Sequence, residues 1–167
     1  MPSIRVSKEL NSAMYFITFT VKRWYYIFDR YNRWEIILNS LQFCQKNKKL
    51  KIYAYVFMLN HIHLIIKSPD SAGFIRDFKK HTAYELMKNL QQTEFTVAEL
   101  FKKDDGKYEI WQKTNMPKII ETEKYFWQKK KYIENNPVRK GYVALPEHWI
   151  HSSAFVANNI DLAKIDE

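Results

Sequence analysis

Residues 55–69 read YVFMLNHIHLIIKSP, an apolar run with two imidazoles set in its middle. β-Branched and aromatic residues dominate on both sides of Leu59 and Asn60. Working outward from that pair, LKIYAYVFML (50–59) reads as one strand and HIHLIIKS (61–68) as the next, joined tightly enough for a hairpin or a bent continuation. In a strand, residues i and i+2 point to the same face. His61 and His63 therefore present their rings side by side, with Ile62 facing the core between them.

The flanks alternate helix and strand. AMYFITFTVKRW (13–24) is rich in aromatic and β-branched residues and reads as a strand. Over 31–47, Trp34, Ile37, Leu38, Leu41 and Cys44 fall at helical spacing. Over 71–91, Phe74, Phe78, Ala83, Leu86 and Leu90 do the same in a helix studded with Lys and Arg. Residues 92–107 read as a shorter helix and an exposed turn at KKDDGK, while YEIWQ and PKIIE are short strand candidates. TEKYFWQKKKYIENN (122–136) reads as a helix with Thr122 as N-cap, Glu123 in its first turn and Pro137 as its stop. Helices interleaved with antiparallel strands imply an α+β chain. The expected architecture is a ferredoxin-like two-layer sandwich, an antiparallel sheet with helices packed on it. Its 167 residues suit a single domain over 1–167, with a core of about 13–156 and a tail over 157–167.

Composition narrows the partner. Hydrophobic residues make up 46% of the chain, enough for a packed core rather than disorder. The net charge is +9 and the pI about 9.5, which favours a polyanion such as nucleic acid. Aromatics reach 16%, and any surplus over the core offers stacking surface for bases. One cysteine, Cys44, excludes an intramolecular disulfide. No secretory leader pattern stands at the N-terminus, and no run of about 18 apolar residues occurs anywhere. A reducing, cytoplasmic setting is the expectation.

Two histidines do not complete a metal site. The candidate partner is KYIENNPVRKGYV (131–143). On a helix, Tyr132 and Asn136 share a face. An amide oxygen from Asn136 would complete a two-histidine, one-oxygen site with positions left for water and phosphate oxygens. Tyr132 would stand beside it with its phenol aimed at substrate. A phenol needs a polarised target and help in losing its proton, and Lys129, Lys130 and Lys131 are candidates for that help. Mn²⁺ accepts imidazole more readily than Mg²⁺ does. Plainer readings stand beside these: histidines on a solvated strand face, a packed helix tyrosine, and an Asn-Asn-Pro helix stop that takes Asn136 out of the helix. Two basic surfaces are candidates for DNA binding, one of Arg76, Lys79, Lys80 and Lys88, the other of Lys129, Lys130, Lys131, Arg139 and Lys140. Trp111, Trp127 and Trp149 are core or stacking residues. His81, His148 and His151 fit no motif.

LNHIHLII resembles the His-hydrophobe-His signature of the HUH single-stranded-DNA endonucleases. YIENNPVRKGYVALPEHWIHSSA (132–154) resembles the C-terminal signature of IS200-like, REP-associated tyrosine transposases. YFITFTVKRW and IWQKTNMPKII carry a weaker likeness, so the match runs roughly from Tyr15 to Ala154. The resemblance implies a ferredoxin-like core that cuts single-stranded DNA beside a hairpin, in a bacterial cytoplasm. It also implies one tyrosine, matching Tyr132, that becomes linked to the 5′ phosphate and frees a 3′ hydroxyl. Mg²⁺ or Mn²⁺ would be held by His61, His63 and Asn136. Leu59 replaces a frequent proline, and Met116 and Glu134 replace frequent histidines; these departures bear on substrate detail. Apolar sheet edges would allow a homodimer as well as a monomer. Competing readings are a non-catalytic ferredoxin-like nucleic-acid-binding module, a metal-free phosphodiesterase using His-x-Ser/Thr motifs with HSS at 151–153, and a family member kept for a host role.

Overall fold

The computed structural model describes residues 6–165. Its first strand, β1 (Met14–Thr20), is followed by helix α1 (Arg33–Asn47), strands β2 (Lys51–Phe57) and β3 (His61–Lys67), and helix α2 (Ser71–Thr93). The short helix α3 (Phe95–Glu99), strand β4 (Lys118–Ile119), helix α4 (Glu123–Glu134) and helical turn α5 (Asn136–Arg139) complete the order. The sheet runs β2-β3-β1-β4, antiparallel throughout, which is the βαββαβ ferredoxin-like arrangement. β2 and β3 form the hairpin expected across Leu59 and Asn60, with Phe57 opposite Ile62. YEIWQ contributes only isolated bridges, from Trp111 to Val21 and from Tyr108 to Lys102, so PKIIE alone yields a strand.

Side-chain alternation assigns the two faces of the sheet. Tyr15, Ile17 and Phe19 of β1 and Ile62, Leu64 and Ile66 of β3 join α1 and α2 in the main core. Each such aliphatic or aromatic residue stabilises the fold by about 1.5–3 kcal/mol through removal from water. The opposite face carries Phe16, Ala54, Val56 and Ile65, packed against Phe126 and Ile133 of α4. The two-layer expectation therefore describes α1 and α2, and α4 adds a layer on the other side. A register shift between Ile52 and Ala54 places Tyr53 and Ala54 together on the α4 side, as a β-bulge does.

Local chemistry fixes the helix ends. Thr122 caps α4 by accepting from Tyr125 N at 3.1 Å. Asp70 caps α2 by accepting from Gly73 N at 2.9 Å. A Cβ at position 73 would meet the Asp70 carboxylate at 2.1 Å, so that approach requires glycine. Arg33, fully buried at the start of α1, donates to Ile27 O, Asn89 Oδ1 and Thr93 Oγ1 and pairs with Glu94 at 2.7 Å. These partners satisfy a charge that would otherwise be costly inside the core and pin α1 to the end of α2.

The chain beyond α5 returns to the outer edge of β2. Phe57 N donates to His151 O, Ser153 N to Tyr55 O and Ala163 N to Ile52 O, at 2.8, 3.0 and 2.8 Å. This covers the edge that would otherwise be free to pair with another subunit.

Candidate active site

The site lies on the α4 face of the sheet, where β3 supplies two polar residues among apolar ones. His61 and His63 are 9% and 6% exposed, so they are not the solvated pair of the plainer reading. Their ring centroids are 4.8 Å apart and steeply inclined. Phe16 of β1 stacks on His63 at 5.4 Å. His63 Nδ1 lies 2.8 Å from Thr18 Oγ1, and His61 Nδ1 lies 2.8 Å from Asn60 Oδ1. Both δ nitrogens are engaged, which leaves the ε nitrogens as the open donors.

Burial holds both rings neutral. Loss of water, with Lys140 nearby, pushes His61 down to about 4. His63 is held well below its ordinary value by burial first, then by His61, Arg139 and Lys129. The same causes show that three cations act on the histidine pair. Two neutral imidazoles in a positive field suit a metal ion and an anion together.

α4 brings Tyr132 to this pair. Its ring lies 5.6 Å from His63 and 6.0 Å from Phe16, and it remains 39% exposed. The Arg139 guanidinium sits 4.1 Å over the phenol ring and the Lys129 ammonium 5.2 Å, both within cation–π range. Lys129 also lies over Phe16 and Tyr125, at 4.8 and 5.4 Å. The phenol ring thus has two cations against it and remains partly open to solvent.

Asn136 reaches the interior by a different route from the one expected. α4 ends at Glu134, and Asn135 caps it before Asn136 and Pro137 open the separate turn α5. Tyr132 and Asn136 therefore stand on two successive helical segments rather than on one, because Pro137 has no N–H to continue the ladder. Asn136 is nevertheless buried, 4% exposed, and its Oδ1 has no hydrogen-bond partner. An orphaned buried amide oxygen costs about 1–3 kcal/mol and invites a functional account. Among the described residues, no group of three or more His, Cys, Asp or Glu could hold a metal. Any third ligand must then be of another kind, and the unpaired amide oxygen of Asn136 has the donor chemistry that a divalent cation accepts.

The remaining basic candidates divide. Lys129 and Arg139 bracket Tyr132, and Lys140 acts on His61. Lys131 is exposed on α4, while Lys130 is paired with Glu134. Arg76, Lys79 and Lys80 lie on α2, which packs on the far face of the sheet and is not brought to the histidines. Lys79 is further committed, donating to Gln112 O and Lys113 O at 2.9 and 3.2 Å. Arg76 donates to Asp77.

Trp111 is core and donates to Thr82 Oγ1 at 3.0 Å. Trp149 donates to Phe57 O and stacks on Tyr142, whereas Trp127 is half exposed on α4. His151 packs 4.0 Å from Trp34 in the segment covering β2, and Ser153 bonds Tyr55 and Glu134. HSS therefore does not face the histidine pair. Sequence reasoning missed Thr18, Asn60 and Phe16, which hold the imidazoles. Alternation along β1 places Phe16 and Thr18 on one face, but only the pairing of Thr18 with His63 shows which face that is.

No family model and no curated protein matches the chain. Among solved structures, the REP-associated tyrosine transposase bound to a REP hairpin superposes with a TM-score of 0.69 over 92% of this chain and 82% of that one, at 19% identity. The fold is that of a REP-associated tyrosine transposase. A presumed transposase from Deinococcus radiodurans aligns at TM-score 0.48 and 16% identity, over 79% of this chain and 96% of the other. Within this transposase fold, the histidine pair lies in the centre of the sheet and the tyrosine on the helix added to its second face.

Proposed function

We propose that this chain is a metal-dependent single-stranded-DNA endonuclease and strand transferase, a transposase that works through Tyr132. The observation that supports it is convergence. Two neutral imidazoles from β3 and a cation-flanked phenol from α4 meet, and the turn that follows α4 carries a buried amide oxygen without a partner. His61, His63 and Asn136 would hold Mg²⁺ or Mn²⁺, which when bound supplies Lewis-acid polarisation of a phosphate oxygen.

The chain's own residues do the rest. Arg139 and Lys129 hold the phenol in place through their contacts with its ring. They also attract the phosphate and offset the charge that builds as it reacts. Tyr132 Oη forms a bond to phosphorus, the bond from phosphorus to the 3′ oxygen breaks, and that oxygen leaves as a 3′ hydroxyl after taking a proton. The 5′ phosphate stays on the tyrosine. Because one phosphate ester replaces another, attack by a different 3′ hydroxyl reverses the step and joins new ends. The exposure of Tyr132 suits a flexible single strand, and the hairpin in the structural neighbour suggests a hairpin beside the cut site.

Tyr132 and His63 meet within one chain, so the reading needs no second subunit. RNA-recognition domains stack bases on a free sheet face, and here α4 covers that face.

The test is a denaturing gel with 3′-labelled single-stranded oligonucleotides, since the tyrosine keeps the 3′-side fragment. The wild-type chain with Mn²⁺ is expected to give a covalent adduct that EDTA prevents. Tyr132→Phe is expected to bind DNA and give none. Adducts that survive this substitution would remove Tyr132 from the role.

A further inference from the structure

Asn60 makes two hydrogen bonds of opposite sense. Its Nδ2 donates to Trp24 O at 2.9 Å, and its Oδ1 faces His61 Nδ1 at 2.8 Å. A carbonyl accepts only, so the Trp24 bond fixes which end of the Asn60 amide faces the ring; the flipped amide would set two acceptors against each other. An amide oxygen likewise accepts only. Nδ1 of His61 must therefore carry the proton, and the lone pair must lie on Nε2. A free imidazole prefers the opposite tautomer, with its proton on Nε2, where it would block a metal.

The carbonyl that sets this arrangement is held in unusual backbone. Arg23 and Trp24 both adopt left-handed conformations, with φ of 58° and 61°, although neither is Gly, Asn or Asp. Such conformations are strained and persist where surrounding contacts over-determine them. Here Trp24 N donates to Val21 O at 3.0 Å, and Val21 N donates to Asn60 O at 2.8 Å. The turn and the hairpin thus brace each other through backbone and side chain. The Trp24 ring packs edge-on at 6.4 Å from His61. His63 differs, because Thr18 Oγ1 can donate or accept and so does not choose its tautomer.

We propose that Asn60, oriented by the Trp24 carbonyl, is a positioning residue that locks His61 in the Nδ1-protonated tautomer and so presents Nε2 as a ready metal ligand. The metal part of this statement rests on the function proposed above, and the tautomer part does not. Partners of this kind on the far ring nitrogen typically change metal affinity by about 10–100-fold.

The experiment has two readouts on the full chain. Long-range ¹H–¹⁵N spectra of the metal-free, ¹⁵N-histidine-labelled protein report which nitrogen of His61 is protonated. Mn²⁺ titration followed by electron paramagnetic resonance reports affinity. The wild type is expected to show Nδ1-protonated His61. Asn60→Ala is expected to shift His61 toward the Nε2-protonated form and to weaken Mn²⁺ binding about 10–100-fold. Asn60→Asp keeps an acceptor toward His61 but cannot donate to Trp24 O, so it is expected to retain the tautomer and restore Mn²⁺ binding to within about tenfold.

If Asn60 merely braced the turn, Asp and Ala would fail alike. That result, or an Nε2-protonated His61 in the wild type, would overturn the proposal. A wild-type chain with the expected tautomer and no Mn²⁺ affinity would uphold the lock and instead overturn the metal-dependent function.

Discussion

The two faces of β3 use one seven-residue strand for opposite ends. Ile62, Leu64 and Ile66 point to α1 and α2 and are wholly buried among apolar neighbours. His61 and His63 point the other way, also buried, yet hydrogen-bonded and near three cations, and Asn136 adds a buried oxygen without a partner. The first face is satisfied by packing alone. The second carries unmet polar demand in a desolvated place, and natural folds keep such demand chiefly where a ligand answers it. The contrast separates what holds the protein together from what it does.

Substitutions on the two faces should therefore fail differently. The largest effect is expected at the second face. Tyr132→Phe should lower covalent adduct formation by about 10⁴-fold or more, as loss of a nucleophile does. Its stability should change by less than about 0.5 kcal/mol, because the ring and its cation contacts remain. Leu64→Ala, on the first face, should do the reverse. Urea unfolding should show a loss of about 2–5 kcal/mol, while adducts form normally below the new midpoint. Equal damage to both readouts from either change would erase the distinction between the faces.

Acid should weaken the second face selectively. His61, His63 and His151 all titrate lower in the folded chain than in the unfolded one, burial being the first cause for each. The unfolded chain then binds more protons below about pH 6.5, and stability falls as pH drops from there toward 4. His61 alone accounts for a loss on the order of 3 kcal/mol across that window. Urea midpoints measured from pH 7 to 4 in wild type and His61→Gln should converge as pH falls. Parallel lines would contradict burial as the cause.

Asn136→Leu is the sharpest test of the orphaned oxygen. It removes an unpaired acceptor while filling similar volume, so thermal unfolding should stay within about 1 kcal/mol of wild type or move upward. Mn²⁺ affinity, read by calorimetry, should drop at least about tenfold. A marked loss of stability would mean that the oxygen is paired within the fold.

The sequence carried the fold well where one signal dominated. The β2–β3 hairpin is legible because β-branched and aromatic residues flank a two-residue joint, α2 because apolar residues recur at helical spacing, and α4 because Thr122 offers a polar cap at its start. The histidine pair is legible because strand alternation alone puts both rings on one side. Other features depend on contacts distant in sequence. The burial of Arg33 is one, explained only by its partners from Asn89 to Glu94. Pro137 announces a stop but not that the following turn would bury Asn136. Periodicity shows that α4 has an apolar side, yet not which face of the sheet receives it. Nothing local in Arg23 and Trp24 signals left-handed backbone, since such residues adopt it only under tertiary constraint.

The central claim is that imidazoles from the middle of the sheet serve one divalent ion. Electron spin-echo modulation of the Mn²⁺-loaded chain tests it most directly. The account predicts nitrogen couplings from two imidazoles, one lost in His61→Gln and the other in His63→Gln. An Mn²⁺ signal without imidazole nitrogen, or one indifferent to both substitutions, would contradict it.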